Sequence, residues 1–191
     1  MPIRFAIPGD APGINAIYRP FVTDSAVSFE LEPPSDECMA ARVAGTLQQF
    51  PWLVNYSGDS VLGYAYASKY RERPAYQWAV ETAVYVSAHS RRTGIGCGLY
   101  QQLFAILRQQ GYYTAYAGIV LPNAGSMALH QALGFELIGI YRGAGYKLDA
   151  WHDVSWWQRP LSNYTAPVRP PKPLPQLSAL IDELTLRSRQ A

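Results

Sequence analysis

The chain has 191 residues, enough for one domain with its own core and a short appendage, and too few for two catalytic domains. Hydrophobic residues make up 49% and charged residues 16%, a globular balance that excludes a disordered chain, and Arg, Gln, Tyr or Gly breaks every apolar run before the roughly 20 residues a bilayer span needs. The net charge of +2 rests on 16 basic residues, all Arg except Lys69, Lys147 and Lys172, and they form no block of the nucleic-acid-binding kind, so small carboxylates or phosphates are the expected partners. Two cysteines, Cys38 and Cys97, are too few for a disulfide framework, and Met1 to Phe5 has no secretory pattern, so a cytoplasmic location is expected.

Ile3 to Ala6 reads as a strand, followed by Asp10 as a helix N-cap and by Ile14, Ile17, Tyr18 and Phe21 at helical spacing. Val27, Phe29 and Leu31 alternate with polar partners, which predicts a short strand or extended loop ending at Pro33-Pro34. Ser35 to Phe50 reads as a second helix with acidic residues at its positive end. Trp52 to Tyr56 and Val61 to Ser68 flank Ser57-Gly58-Asp59, a hairpin signal, and Lys69 to Tyr76 is a polar loop rich in Arg and Tyr.

Trp78 to Ser87 returns to strand character, and Ile95, Leu99, Leu103 and Leu107 mark a helix over Ile95 to Gln110. A strand over Thr114 to Val120, a helix over Asn123 to Leu133, and strands over Phe135 to Tyr141 and Val154 to Gln158 complete the order, which is that of an α/β or α+β fold with a mixed sheet. The expected division is a domain over 1–163, a Pro-rich linker over 164–175 and an amphipathic helix over 176–191. Five prolines between Ala166 and Pro175 make the linker stiff, and the helix, with Leu177, Leu180, Ile181 and Leu184, could pack on its own domain or on a partner subunit.

The segment with the most chemical content is Val84-Tyr85-Val86 followed by Arg91-Arg92-Thr93-Gly94-Ile95-Gly96, a strand, a tight loop and a helix start. Unpaired amides at a helix N-terminus can hold a phosphate, and glycines allow it to approach closely. The spacing is neither that of a dinucleotide-binding fingerprint nor that of a P-loop, and by itself it also fits a plain strand-to-helix turn. Further along, Asn123, Ser126, Leu129, His130, Leu133, Gly134 and Phe135 form a second pattern, Asn-x-x-Ser-x-x-Leu-His-x-x-Leu-Gly-Phe. Together the two resemble the GNAT superfamily of acetyl-CoA-dependent N-acetyltransferases. Val80 to Ser87, Leu121-Pro122-Asn123 and Trp151-His152-Asp153 are similar to the phosphinothricin acetyltransferase family within it.

That resemblance implies a mostly antiparallel mixed sheet with helices on both faces, splayed between its fourth and fifth strands so that the pantetheine arm of acetyl-CoA enters the opening. It also implies that Val84, Tyr85 and Val86 bind pantetheine through their backbone, that Arg91 to Gly96 receive the pyrophosphate, that Asn123 and Ser126 lie along the arm, and that the protein is a homodimer. Acetyl transfer needs an unprotonated amine, so a general base is required. Glu81, among apolar strand neighbours, is the candidate, with an edge carboxylate or a structural ion pair as the other reading. His130 shares a helix face with Ser126 and Leu133, where many GNAT enzymes carry a Tyr that protonates the leaving thiolate; a satisfied structural His is the alternative.

On the substrate side, Phe29 and Glu30, with Tyr70, Arg71, Arg73, Tyr76 and Trp78, could form an aromatic pocket with an Arg for a carboxylate. The family pattern Arg-x-Ala-Tyr-x-Trp is met by Arg73, Ala75, Tyr76 and Trp78, which favours Arg73 for that role. Cys97 reads as helix packing, and no His, Cys or carboxylate spacing suggests a metal. The expected activity is acetyl transfer to a small amino-acid-like amine of the phosphinothricin or methionine sulfoximine type. The alternatives are a polyamine, antibiotic or protein N-terminus as acceptor, or a non-catalytic acyl-CoA-binding module.

Overall fold

A computed structural model describes residues 2–165 and 168–177. The predicted C-terminal helix, 176–191, falls outside that range except for Gln176 and Leu177, and Gln176 ends a 3-10 turn, Leu174–Gln176. In chain order the elements are β1 (Ile3–Phe5), α1 (Ala11–Thr23), α2 (Asp36–Thr46), β2 (Trp52–Ser57), β3 (Ser60–Lys69), β4 (Ala79–Val86), α3 (Ile95–Gln110), β5 (Thr114–Val120), α4 (Ala124–Ala132), β6 (Glu136–Lys147) and β7 (Ala150–Pro160). Among the described residues no helix is long and apolar enough to cross a membrane.

The seven strands form one sheet in the order β1-β2-β3-β4-β5-β7-β6, and every neighbouring pair is antiparallel except β4 and β5. Strand alternation sends successive side chains to opposite faces, so the sheet carries two cores. Leu53, Ala65, Ala67, Val80, Ala115, Ala117 and Trp157 pack with α3 and the end of α4. Trp52, Val54 and Tyr64, one position out of phase, pack with α1 and α2.

Several elements differ from the sequence expectation for identifiable reasons. Residues 27–32 form no strand: the loop is held from its sides, with the Tyr18 hydroxyl 2.7 Å from Ser28 Oγ and Glu30 ion-paired to Arg42. The Lys147 ammonium, only 6% exposed, donates to the carbonyls of Val22 and Ser28, each at 2.6 Å. Asp10 stands at the N-cap of α1 but its side chain does not cap that helix; its carboxylate turns back to accept from Ile7 N at 2.8 Å and from both terminal nitrogens of Arg4 at 2.7 Å. Strand β6 runs past Tyr141 to Lys147 because register shifts absorb the residues that looked like breaks. Strand β7 lies inside the sheet between β5 and β6, so β6 is the edge at this end of the sheet.

The proline-rich segment crosses its own domain over the C-terminal end of α3. Lys172 N donates to Gln110 O at 2.7 Å, Gln110 Nε2 donates to the carbonyls of Lys172 and Gln49, and Leu174 is buried in the α3-side core.

Candidate active site

Strands β4 and β5 pair only from Ala79 to Glu81 against Thr114 to Tyr116. Beyond that point β4 stays with β3 as far as Val86, and β5 stays with β7 as far as Val120, so the sheet opens into a fork. At its vertex the Thr82 hydroxyl donates to Tyr116 O at 3.2 Å, satisfying a carbonyl that the parting strands would otherwise strand. From Thr82 to Val86 the β5-facing edge of β4 is open, which leaves backbone groups of Val84, Tyr85 and Val86 for a ligand in the fork. The Tyr85 ring is turned away, edge-on to Tyr18 and Phe21.

The mouth of the fork is the start of α3. Gly94 caps it with φ +86°, a conformation that strains any residue with a Cβ, and the first ladder bond is Gly98 N to Gly94 O at 2.9 Å. The amides of residues 95–97 therefore precede the helical ladder and are available to an anion. Thr93 Oγ donates to Ser90 O and fixes the loop, while Arg91 and Arg92 are exposed beside it and Arg91 lies over the Phe21 ring. A Cβ on Gly96 would stand 3.2 Å from Leu129 Cδ2 and 3.6 Å from Val86 Cγ2, so glycine is what lets α3 sit against β4 and α4. An open strand edge, free helix amides and flanking guanidinium groups fit the pantetheine arm and the pyrophosphate of acetyl-CoA.

Glu81 occupies the last paired position of β4, opposite Tyr116. Among the described residues its carboxyl has no hydrogen-bond or ion-pair partner; burial pushes its pKa up and the charge of Arg71 opposes that shift. Around it Tyr70 stacks on Tyr116 at 4.2 Å between ring centroids and meets Trp156 edge-on at 6.5 Å. The Arg71 guanidinium lies over both Tyr70 and Trp156, at 4.7 and 5.8 Å. Tyr76 closes on Tyr70 at 5.8 Å.

Arg71 rather than Arg73 is thus the cation beside the candidate base. Arg73 is exposed and precedes a short 3-10 turn, Pro74–Tyr76. Trp78 does not join the cluster in the expected way: its indole donates to Arg169 O at 2.8 Å and anchors the C-terminal segment. Phe29 packs on Gly145 and His152, against the β6–β7 hairpin. Tyr116 and Trp156 escaped the sequence reading, although strict alternation along β7 puts Trp156 on the face opposite the buried Trp157 and would have pointed to it.

His130 is 3% exposed, and both ring nitrogens are engaged: Nδ1 is 2.7 Å from Ser126 O, and Nε2 is 3.1 Å from the Tyr100 hydroxyl. Burial holds its pKa down, so the ring is neutral, with Nδ1–H donating to the carbonyl and Nε2 accepting from Tyr100. With both nitrogens so engaged, the ring ties α3 to α4. Asn123 caps α4 through its side-chain oxygen, which accepts from Ser126 N at 3.1 Å. Cys97 packs against the α3-side core, and among the described residues no cluster could hold a metal.

The family model for the acetyltransferase (GNAT) domain matches residues 3–156. This chain belongs to the GNAT acetyltransferase family. It is 38% identical to a phosphinothricin N-acetyltransferase of Streptomyces viridochromogenes, over 92% of this chain and 95% of that one. An L-methionine sulfoximine/L-methionine sulfone acetyltransferase of Salmonella typhimurium is 32% identical, over 87% and 98% of the respective chains. Among solved structures, the GNAT superfamily phosphinothricin acetyltransferase of Sinorhizobium meliloti in complex with acetyl-CoA superposes with a TM-score of 0.81 at 36% identity, covering 88% of this chain and 95% of that one. The chain is therefore an acetyltransferase that uses acetyl-CoA.

Proposed function

We propose that this acetyltransferase acetylates the α-amine of a small amino-acid-like acceptor of the phosphinothricin or methionine sulfoximine kind. The reading rests on one juxtaposition: a half-buried carboxyl without a partner among the described residues at the vertex of the fork, with a guanidinium held over two aromatic rings next to it. An α-amino acid carries an ammonium and a carboxylate on adjacent atoms, and Glu81 and Arg71 present the complementary pair. The names of the relatives point to the same acceptor class. A polyamine would meet Arg71 as a like charge.

When bound, acetyl-CoA would supply the acetyl group as an activated thioester, whose carbon–sulfur bond breaks as the amide bond forms, with CoA leaving as the thiol after taking up the second proton lost by the amine. Glu81 takes the proton from the acceptor ammonium, and its raised pKa makes it a better base than an ordinary carboxylate. Arg71 holds the acceptor carboxylate and so orients the amine toward the fork. Tyr70, Tyr116 and Trp156 wall the position and exclude water. Val84, Tyr85 and Val86, with Arg91 to Gly96, hold the cofactor arm and pyrophosphate, and Asn123 and Ser126 flank the arm at the start of α4.

The reading extends to a cytoplasmic homodimer: β6 is a long edge strand carrying exposed Leu137, Ile138, Ile140 and Tyr141, a surface that in a soluble protein calls for cover. The purified protein tested for thiol release from acetyl-CoA against a panel of amino acids, sulfoximines, polyamines and peptide N-termini decides the acceptor. The expected result is turnover with phosphinothricin or methionine sulfoximine and none with spermidine. Efficient turnover of polyamines alone would overturn the assignment. Light scattering checks the dimer, and a monomer at micromolar concentration would remove that part.

A further inference from the structure

The sheet face that packs α3 and α4 carries a second cleft of about 460 Å³, lined by Gln101, Phe104 and Arg108 of α3, by Gly134 and its neighbours at the end of α4, and by Arg159 of β7. It is far from the fork mouth: Arg108 lies thirteen residues along α3 from Ile95, about 20 Å at the helical rise. Two arginines meet there without a counter-charge. Among the described residues neither has a carboxylate partner, Arg108 spends only its Nε, on Leu161 O at 2.7 Å, and Arg159 Nε is buried with no partner at all.

Neither helix at the cleft can bring an acid to them: no Asp or Glu occurs between Glu81 and Glu136, a stretch that contains both α3 and α4. The arrangement is fixed rather than loose. The Arg159 guanidinium lies over the Phe104 ring at 4.8 Å, and Gly134, at φ +77°, brings the backbone so close that a Cβ there would stand 3.3 Å from an Arg159 terminal nitrogen. Burial and the charge of Arg108 both disfavour the charged form of Arg159, and among the described residues no carboxylate offsets that cost.

We propose that this cleft is a second ligand site, separate from the acetyl-transfer fork, that takes a small dianion carrying two carboxylates or a phosphate monoester. Two guanidinium forks at one cleft match the paired oxygens of such a ligand, and bidentate contact is the geometry in which arginine outperforms lysine. The cleft also leaves room for the body of a small metabolite.

The test uses the full chain saturated with acetyl-CoA, so that the start of α3 is occupied, and titrates inorganic phosphate and succinate separately by calorimetry at constant ionic strength. Saturable one-site binding of either probe is expected. Arg108→Gln and Arg159→Gln should each weaken it at least about tenfold, the usual cost of one charge-assisted contact, while Arg19→Gln on the exposed face of α1 should not. Preference for phosphate over succinate, or the reverse, identifies which source of dianion the site serves. Without probe, Arg159→Gln should melt no lower than the parent, since it removes an uncompensated charge. No saturable binding of either probe at millimolar concentration overturns the proposal, and so does binding that survives both substitutions.

Discussion

Replacing Glu81 by Gln keeps the shape of the side chain and removes only its ability to accept a proton. A positioned general base contributes about 10²- to 10⁴-fold, so kcat/KM should fall by that factor at neutral pH, about 3–5 kcal/mol of barrier, with the KM for acetyl-CoA little changed. Stability supplies an independent reading. Because burial raises the Glu81 pKa in the folded state above its unfolded value, the folded protein binds more protons in the interval between the two, and stability declines as pH rises through it. The Glu81→Gln variant has no such decline, so above that interval it should be at least as stable as the parent, each unit of elevation corresponding to about 1.4 kcal/mol. The assays are a pH–rate profile and chemical denaturation at matched pH values. In the parent the acidic limb of the profile should lie above the ordinary carboxylate range; in the variant it should vanish. A variant with turnover close to the parent and the same acidic limb would refute the base assignment, and a loss of stability at neutral pH would refute the picture of a partnerless carboxyl.

Gly96→Val drives side-chain atoms toward Leu129 and Val86, so acetyl-CoA should no longer raise the melting temperature of the protein, as read by a thermal shift series. Arg71→Ala should raise the KM for the amino-acid acceptor about tenfold or more, whereas Arg73→Ala should change it little; steady-state kinetics of the two variants separates the roles. Tyr100→Phe leaves His130 Nε2 without its donor inside the core and should cost about 1–3 kcal/mol in urea denaturation, with no histidine-range limb gained or lost in the pH–rate profile.

Features governed by local periodicity were legible in the sequence. The boundaries of α3 and β5 agree with the structure, and the glycine-containing start of α3 stands where its residues implied. Glu81 could be singled out because its strand neighbours are apolar. What escaped depends on contacts distant in the chain. Whether Arg71 or Arg73 faces the vertex is decided by where β3 ends, at Lys69, and by the turn after it, which a polar loop does not encode by pattern. The state of His130 is fixed by Tyr100, a full helix away. The length of β6 was hidden because Gly143 and Gly145 resemble turn signals, while pairing with β7 carries the strand past them. The proline-rich segment likewise read as a stiff linker, and it is contacts with distant residues, Gln49, Trp78 and Gln110, that strap it to the domain.

Lys147 ends β6, yet its ammonium holds the loop between α1 and α2 through the carbonyls of Val22 and Ser28. That loop reaches the enzyme's surface from the first helix pair, while the hairpin bearing the lysine is among the last parts of the fold to be synthesised. The loop between α1 and α2 is therefore not a detachable cassette. A loop transplanted between residues 24 and 35 would arrive without its clamp unless its carbonyls met the same ammonium, and a Lys147→Met scaffold would release any loop placed there. Recombination of these segments among relatives should succeed when the two travel together and fail when they are exchanged one at a time.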